Sequence, residues 1–465
     1  VVAAGGFFIA QRRNAVTSTK PMSLAIVPFT APPDQAYAGE GLADSLFRTL
    51  ANVDGLNVRS HKTAIAQNAT AATIGAEHLL RGSLRAEGAN SIVVAEIVDL
   101  CNGRQLWHRG YSGAADDLLG IERRLSSDVE QFVRRATGAT ETRSTEHRAT
   151  TVDAEAYREY LRGRHHWNKF TIAGFETALE HFRKSIDLDP TYALAYAGMA
   201  DAYAMLGYHG DAPAEVMPKA RAAAQRAIEL DPLMGEGYTS LGIVLMMHDW
   251  KWAEGEAALR KGVALNPRYA SAHHAYAVYL GLVGRSDEAL REIARATELD
   301  PLSLVISLDQ AWIHYSRDEI DQAIEILGKA VRYDANAPLP RYELAWDLDH
   351  AGRYAEAIDS YEAGLRIEGK DTSPMTLLRN ALRDGGETAY LRQRLALAEA
   401  AGAPHTTLAA IFVQLHDNDA AMEHLERAYE LRERDVMYLK TSPTYAALRK
   451  DPRFQALLQK IGFPN

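Results

Sequence analysis

The sequence predicts a small α/β domain followed by an all-α solenoid of repeated helix pairs. Two observations carry this. In the second half, Ala289, Ala323 and Ala357 recur at a step of 34 residues, and Gly284, Asp318 and Gly352 keep the same step. In the first third, short runs rich in β-branched residues alternate with amphipathic stretches.

The elements follow in order along the chain. Val1–Ala10 is an apolar run closed by Gln11, Arg12 and Arg13. Ten residues are too few to span a bilayer, which takes about 20, so residues 1–13 read as the end of a transmembrane helix. A signal-peptide remnant and a disordered tail are the alternatives. The expected setting is a bacterial inner membrane crossed once, with the soluble part in the periplasm. Arg12, Arg13 and Lys20 pull the other way, because positive flanks favour the cytoplasmic side. Residues 14–22 form a polar linker. Ser23–Phe29 reads as a buried strand, and Tyr37–Leu50 as a helix with Leu42, Leu46 and Leu50 on one face. Leu56–Arg59 is a short strand. Glu77–Arg85 and Ser91–Leu100 form a hairpin joined through Ala86–Asn90. Asn102-Gly103 is a two-residue turn signal leading to a strand at Gln105–Tyr111. Asp116–Arg135 closes the unit as an amphipathic helix. Residues 137–152 lack large apolar side chains and read as a linker.

Four motifs in this stretch carry a resemblance. They are Ala25–Phe29, Gly41–Leu46, Leu80–Ser83 and Leu106-Trp107. Residues 23–136 resemble the TolB-like N-terminal domain, which implies a compact α/β fold ahead of repeats and carries little information about activity. The segment between Ser60 and Ala76 is shorter than that family's pattern.

From residue 153 to 435 every segment reads as helix. Leu188-Asp189-Pro190, Leu230-Asp231-Pro232, Leu265-Asn266-Pro267 and Leu299-Asp300-Pro301 close successive second helices, since proline cannot continue a helix. Ala296, Ala330 and Gly364 keep the 34-residue step, as do Trp312 and Trp346. That period marks the tetratricopeptide repeat, a helix pair that stacks into a solenoid. The residues give about eight repeats. Pro190 to Pro232 spans 42 residues, which predicts an extended loop at Tyr208–Pro218. Residues 436–465 read as a C-terminal capping helix. With Tyr160–Lys169 (YLRGRHHWNK) and Asp451–Phe454 (DPRF), the whole arrangement resembles the sensory region of CadC-like and HilA-like transcriptional regulators and of class III membrane adenylate cyclases.

Composition excludes several functions. The formal net charge is −10, which disfavours direct nucleic-acid binding by this chain, because phosphate contacts need clustered Lys and Arg. Cys101 is the one cysteine, so no intrachain disulfide or cysteine-based zinc site is possible. It is expected half-buried beside a turn. No phosphate-binding loop, zinc-protease or nucleophile-elbow motif occurs, so no catalytic residue, metal site or cofactor is expected. His165-His166 and His273-His274 are adjacent on helices and point about 100° apart, so neither pair chelates easily.

The candidate site is a stripe on the concave face, lined by first helices. Trp312 and Trp346 are repeat equivalents. Tyr315 and Tyr342 lie one turn from them, His350 one turn beyond Trp346, and His274 is equivalent to Tyr342. Two readings stand open: an aromatic floor for a protein or peptide partner, or packing between repeats or against the α/β domain. The functional expectation is a non-catalytic sensory and scaffolding region of a bacterial membrane-anchored signalling protein. It regulates an effector outside this sequence, with a winged-helix regulator favoured. The alternatives are the regulatory half of a class III adenylate cyclase or kinase, and a free-standing periplasmic assembly scaffold. The residues set no oligomeric state.

Overall fold

The computed structural model describes residues 22–50, 53, 56–60, 75–114, 117–138, 153–209, 213–301 and 303–464. The N-terminal unit is a five-stranded sheet of order β2-β1-β3-β4-β5. Its strands are β1 (Met22–Ile26), β2 (Leu56–Ser60), β3 (His78–Glu87), β4 (Asn90–Asp99) and β5 (Gln105–Ala114). β1 runs parallel to β2 and β3, while β3, β4 and β5 form an antiparallel meander. The β3–β4 turn is set by Gly88 at φ 61°, a left-handed conformation that glycine adopts without strain. The β4–β5 turn is held by Asp99, whose carboxylate accepts from the Cys101 amide at 2.8 Å and from Asn102 at 2.8 Å. Cys101 is exposed there, further out than expected.

Helices α1 (Ala36–Leu50) and α2 (Leu118–Thr137) cover one face of the sheet. Leu24, Leu42, Leu46, Leu80, Ile97, Ile121 and Leu125 share that core. The same core continues into the first repeat helix, because Tyr160, Leu161 and Phe182 belong to it. Gly41 permits this. A Cβ at that position would sit 2.6 Å from Leu161, inside contact distance. Arg268 adds a second tie by donating to the Val53 and Leu56 carbonyls.

Residues 153–464 fold as a long helical solenoid. Its helices are α3 (Ala154–Asn168), α4 (Ile172–Leu188), α5 (Ala193–His209), α6 (Pro213–Leu230), α7 (Gly235–Val244), α8 (Trp252–Leu265), α9 (Ala270–Leu282) and α10 (Ser286–Leu299). They continue as α11 (Leu304–Ser316), α12 (Ile320–Tyr333), α13 (Leu339–His350), α14 (Tyr354–Ile367), α15 (Ser373–Ala400), α16 (His405–Gln414) and α17 (Asn418–Glu430). The 34-residue step has a backbone cause. Trp250, Gly284, Asp318, Gly352 and Gly386 all adopt positive φ, at 52°, 86°, 64°, 72° and 66°. Each turns the chain from one helix of a pair into the other. Gly386 does so inside α15, which breaks into two arms there. It therefore carries the register through the stretch where the sequence pattern fades.

The small residues have a packing cause. Ala289, Ala296 and Ala323 are fully buried. A Cβ on Gly364 would lie 2.5 Å from the Tyr342 ring.

Two further expectations need correction. The segment Tyr208–Pro218 is not an extended loop. α5 runs to His209, and α6 begins at Pro213 and continues through Pro218. The additional residues lengthen the helices, and Pro218 forgoes one backbone hydrogen bond near the start of α6. The single-pass inner-membrane placement, with its periplasmic soluble part, is also not supported. Among the described residues no helix is long and apolar enough to cross a membrane. Even α15, the longest, carries Arg379, Arg383, Glu387, Arg392 and Arg394. Residues 1–13, which carried that expectation, lie outside the described residues, as do most of the two linkers.

The C-terminal segment is two 3₁₀ turns, Arg434–Tyr438 and Pro443–Leu448, followed by α18 (Pro452–Ile461). It returns to the middle of the solenoid. The Trp252 indole donates to the Ile461 carbonyl at 3.2 Å and stacks on Phe463 at 4.8 Å. Trp250 stacks on Tyr429 at 5.7 Å. Val436, Leu448 and Phe454 are fully buried in one core with Leu259, Tyr279 and Ile293.

Two stability outcomes follow. Gly364→Leu should destabilise the protein by about 1–3 kcal/mol through overpacking. Trp252→Ala should cost about 3–5 kcal/mol and should free α18 first. Chemical denaturation gives the first quantity, and limited proteolysis beyond residue 448 reads the second.

Candidate functional site

The stripe residues lie on α9, α11 and α13, the first helices of three successive pairs. His274 on α9 meets Asp309 on α11, Nε2 to Oδ2 at 2.5 Å. Trp312 lies over Gly281, where a Cβ would come within 2.7 Å of the indole. It also meets the Tyr438 ring at 5.1 Å. Tyr315 is 4% exposed, and its hydroxyl meets Thr444 Oγ1 at 2.7 Å. His350 receives the same Thr444 hydroxyl on Nε2 at 3.1 Å, and its Nδ1 hydrogen bonds to the Trp346 carbonyl at 2.9 Å. The His350 ring lies 5.6 Å from Tyr315 and 4.5 Å from Trp346.

The structure thus gathers Tyr315, Trp346 and His350 around Thr444, and places Trp312 a step away on Tyr438. Tyr342 leaves this group. Its hydroxyl bonds to Glu368, and its ring packs on Tyr361 at 4.9 Å, both on the side of α14. Trp346 is backed by the Arg394 guanidinium at 5.6 Å. Arg394 pairs with the buried Asp349, which also accepts from Tyr390 at 2.5 Å and Gln414 at 3.1 Å. A chain segment about 90 residues downstream of the stripe therefore covers part of it. No local pattern announces such a return.

Sequence reasoning also missed the acidic side of the groove. Asp309 and Glu343 are repeat equivalents 34 residues apart, and Asp347 lies one turn beyond Glu343. The step itself was the available signal. Asp347 is 5% exposed. Its burial, with Glu343 as the second cause, raises its carboxyl to about 8. Glu343 is exposed to solvent, although many protein atoms lie around it. That enclosure raises its carboxyl to about 7, with Asp309 adding to the effect. Burial holds His350 down at about 4. Tyr208 joins from α5, its hydroxyl 2.9 Å from that of Tyr438. The Arg434 guanidinium lies over the Tyr208 ring at 4.7 Å. Among the described residues no group of three His, Cys, Asp or Glu could hold a metal ion.

Such an arrangement defines a helical-repeat protein: a small α/β domain fixed to the start of a solenoid, with aromatic and acidic side chains on the first helices of successive pairs. No known family profile matches the chain. Among curated proteins, the transcriptional regulator HilA of Salmonella typhimurium is 27% identical over 168 residues, 36% of this chain and 30% of HilA. A Rhizobium meliloti protein provisionally named adenylate cyclase 3 is 25% identical over 235 residues, 48% of this chain and 40% of its own length. The matches thus span less than half of each relative. Among solved structures, a tetratricopeptide-repeat protein of Thermus thermophilus aligns at a TM-score of 0.34 and 20% identity, over 43% of this chain and 98% of its own.

The two raised carboxyls make a pH prediction. The folded chain keeps protons on Glu343 and Asp347 that an unfolded chain releases near pH 4. The stability from this source is full below about pH 4 and is lost as pH rises through about 7 and 8. Neutral buried His350 acts oppositely between about pH 4 and 6.5. Above about pH 6.5 the His350 contribution no longer changes and the carboxyl effect continues. The Tm should fall from there to about pH 9, and Asp347→Asn should flatten that slope. Thermal melts across that range check it.

Proposed function

We propose that this chain is the non-catalytic regulatory and scaffolding part of a bacterial signalling protein. It takes a protein partner on the concave face of the solenoid and transmits that event to an effector outside this sequence. The observation that carries the reading is the shared face of α9, α11 and α13, where Trp312 and Trp346 stay half-buried while Tyr315 and His350 pack under Thr444. Aromatic side chains supply large contact area at low entropic cost, as binding hot spots require. The α/β domain shares a core with the first helix pair, which gives a rigid path out of the solenoid.

The effector is proposed as a transcriptional regulator, because one relative bears that name. A nucleotide cyclase is the second reading, favoured by the other relative, whose match takes in more of this chain. A photo-crosslinking residue at Trp346, introduced into the full-length protein in its native host, should trap one defined partner. His274→Ala and Trp312→Phe should lower that yield while leaving the melting curve within a few degrees of wild type. Crosslinks confined to the chain's own residues 434–448 would contradict partner binding on this face.

A further inference from the structure

The groove contains a carboxyl that its own chain leaves unserved. Asp347 is 5% exposed and Glu343, one turn before it, is exposed, and among the described residues neither side chain has a hydrogen-bond or ion-pair partner. The polar groups beside Asp347 are committed elsewhere. The Tyr315 hydroxyl goes to Thr444, and both His350 nitrogens are engaged by Trp346 and Thr444. Asp309 is taken by His274. The cation that the C-terminal segment brings near Glu343 is Arg434, but its guanidinium bonds to Asp435 at 2.9 Å and lies on Tyr208. A buried carboxyl without a partner is costly, and native structures rarely keep one without a reason.

We propose that Glu343 and Asp347 anchor a Lys or Arg side chain from a basic segment of the protein partner. This rests on the reading of the groove as a partner site and supplies the partner's chemistry. The chemistry matches on three counts. Two carboxyls one helical turn apart on α13 converge on one cation. Trp312, half-buried on the neighbouring helix α11, offers an aromatic ring of the kind that favours cations. A chain of net charge −10 draws a basic segment in over a distance. Recognition of this kind differs from capture of a terminal carboxylate, which would need Lys or Arg where this groove has acids.

The test uses the full chain and a fluorescent Arg-Ala repeat peptide of about nine residues, about 30 Å extended. A Glu-Ala peptide is the control, at about 0.15 M salt. Polarisation should show saturable binding of the basic peptide alone. Glu343→Gln and Asp347→Asn should each weaken it about thirtyfold or more, with melting temperature unchanged or raised. Glu325→Gln removes the same charge from the exposed face of α12 and should change affinity within about twofold. Equal losses in all three variants would show general charge attraction and overturn the proposal. Unchanged affinity in both groove variants would do the same. Failure of the basic peptide alone, with crosslinking at Trp346 still trapping a partner, overturns this inference and leaves the broader reading standing. Loss of both removes the reading on which it rests.

Discussion

The return of the C-terminal segment to Trp252 is the contact on which the solenoid's shape depends. A stack of helix pairs has contacts only between neighbours, so its curvature is ordinarily set pair by pair. Here Trp252, near the third helix pair, holds Ile461 and Phe463 from the end of the chain. Leu259 and Ile293 share a core with Val436 and Phe454. That long-range core turns an open spring into a closed superhelix. It also fixes what the inner face can offer, because the 3₁₀ turns at Arg434–Tyr438 and Pro443–Leu448 run across it.

The inner face is thereby divided into two parts. Thr444 and Tyr438 satisfy the aromatic half, through Tyr315, His350 and Trp312. In the acidic half, Asp347 is left with burial and repulsion from Glu343, while exposed Glu343 feels Asp309 against the opposing Arg434 guanidinium. Buried polar groups raise stability only when paired, so this half is held in place by the rest of the fold at a cost in stability. Strong support lies directly behind it. Asp349, two residues from Asp347, anchors Arg394, Tyr390 and Gln414 in a satisfied buried network. α13 is rigid on one side and unsatisfied on the other.

Much of this architecture was legible in the sequence because its causes are local. The 34-residue step is a left-handed turn residue plus a close helix contact, and both demand particular residue types: Gly284 and Gly352 for the turn, Ala289 and Gly364 for the contact. The hairpin strands were legible through alternation and through Gly88 and Gly103. What was not legible depends on distant parts of the chain. Nothing near Thr444 shows that it will sit between Tyr315 and His350, and nothing near Ile461 points to Trp252. Tyr342 was placed on the stripe by its spacing, but the space left by Gly364 draws its ring toward α14. The proline spacing suggested a loop at Tyr208–Pro218 because inserted residues usually leave helices, whereas here they extend α5 and α6. The acidic pair was visible as a repeat-equivalent position, yet its lack of partners is a property of the closed fold alone.

Hydrogen–deuterium exchange on the intact chain tests this account most directly. If the C-terminal segment closes the superhelix, the amides of α8 to α10 and those of 434–461 should open together, as one cooperative unit with one opening free energy. Fast exchange across 434–461 beside full protection of α8 to α10 would contradict it. In that case the segment would be a loosely docked tail, and the inner face of the solenoid would be open along its whole length.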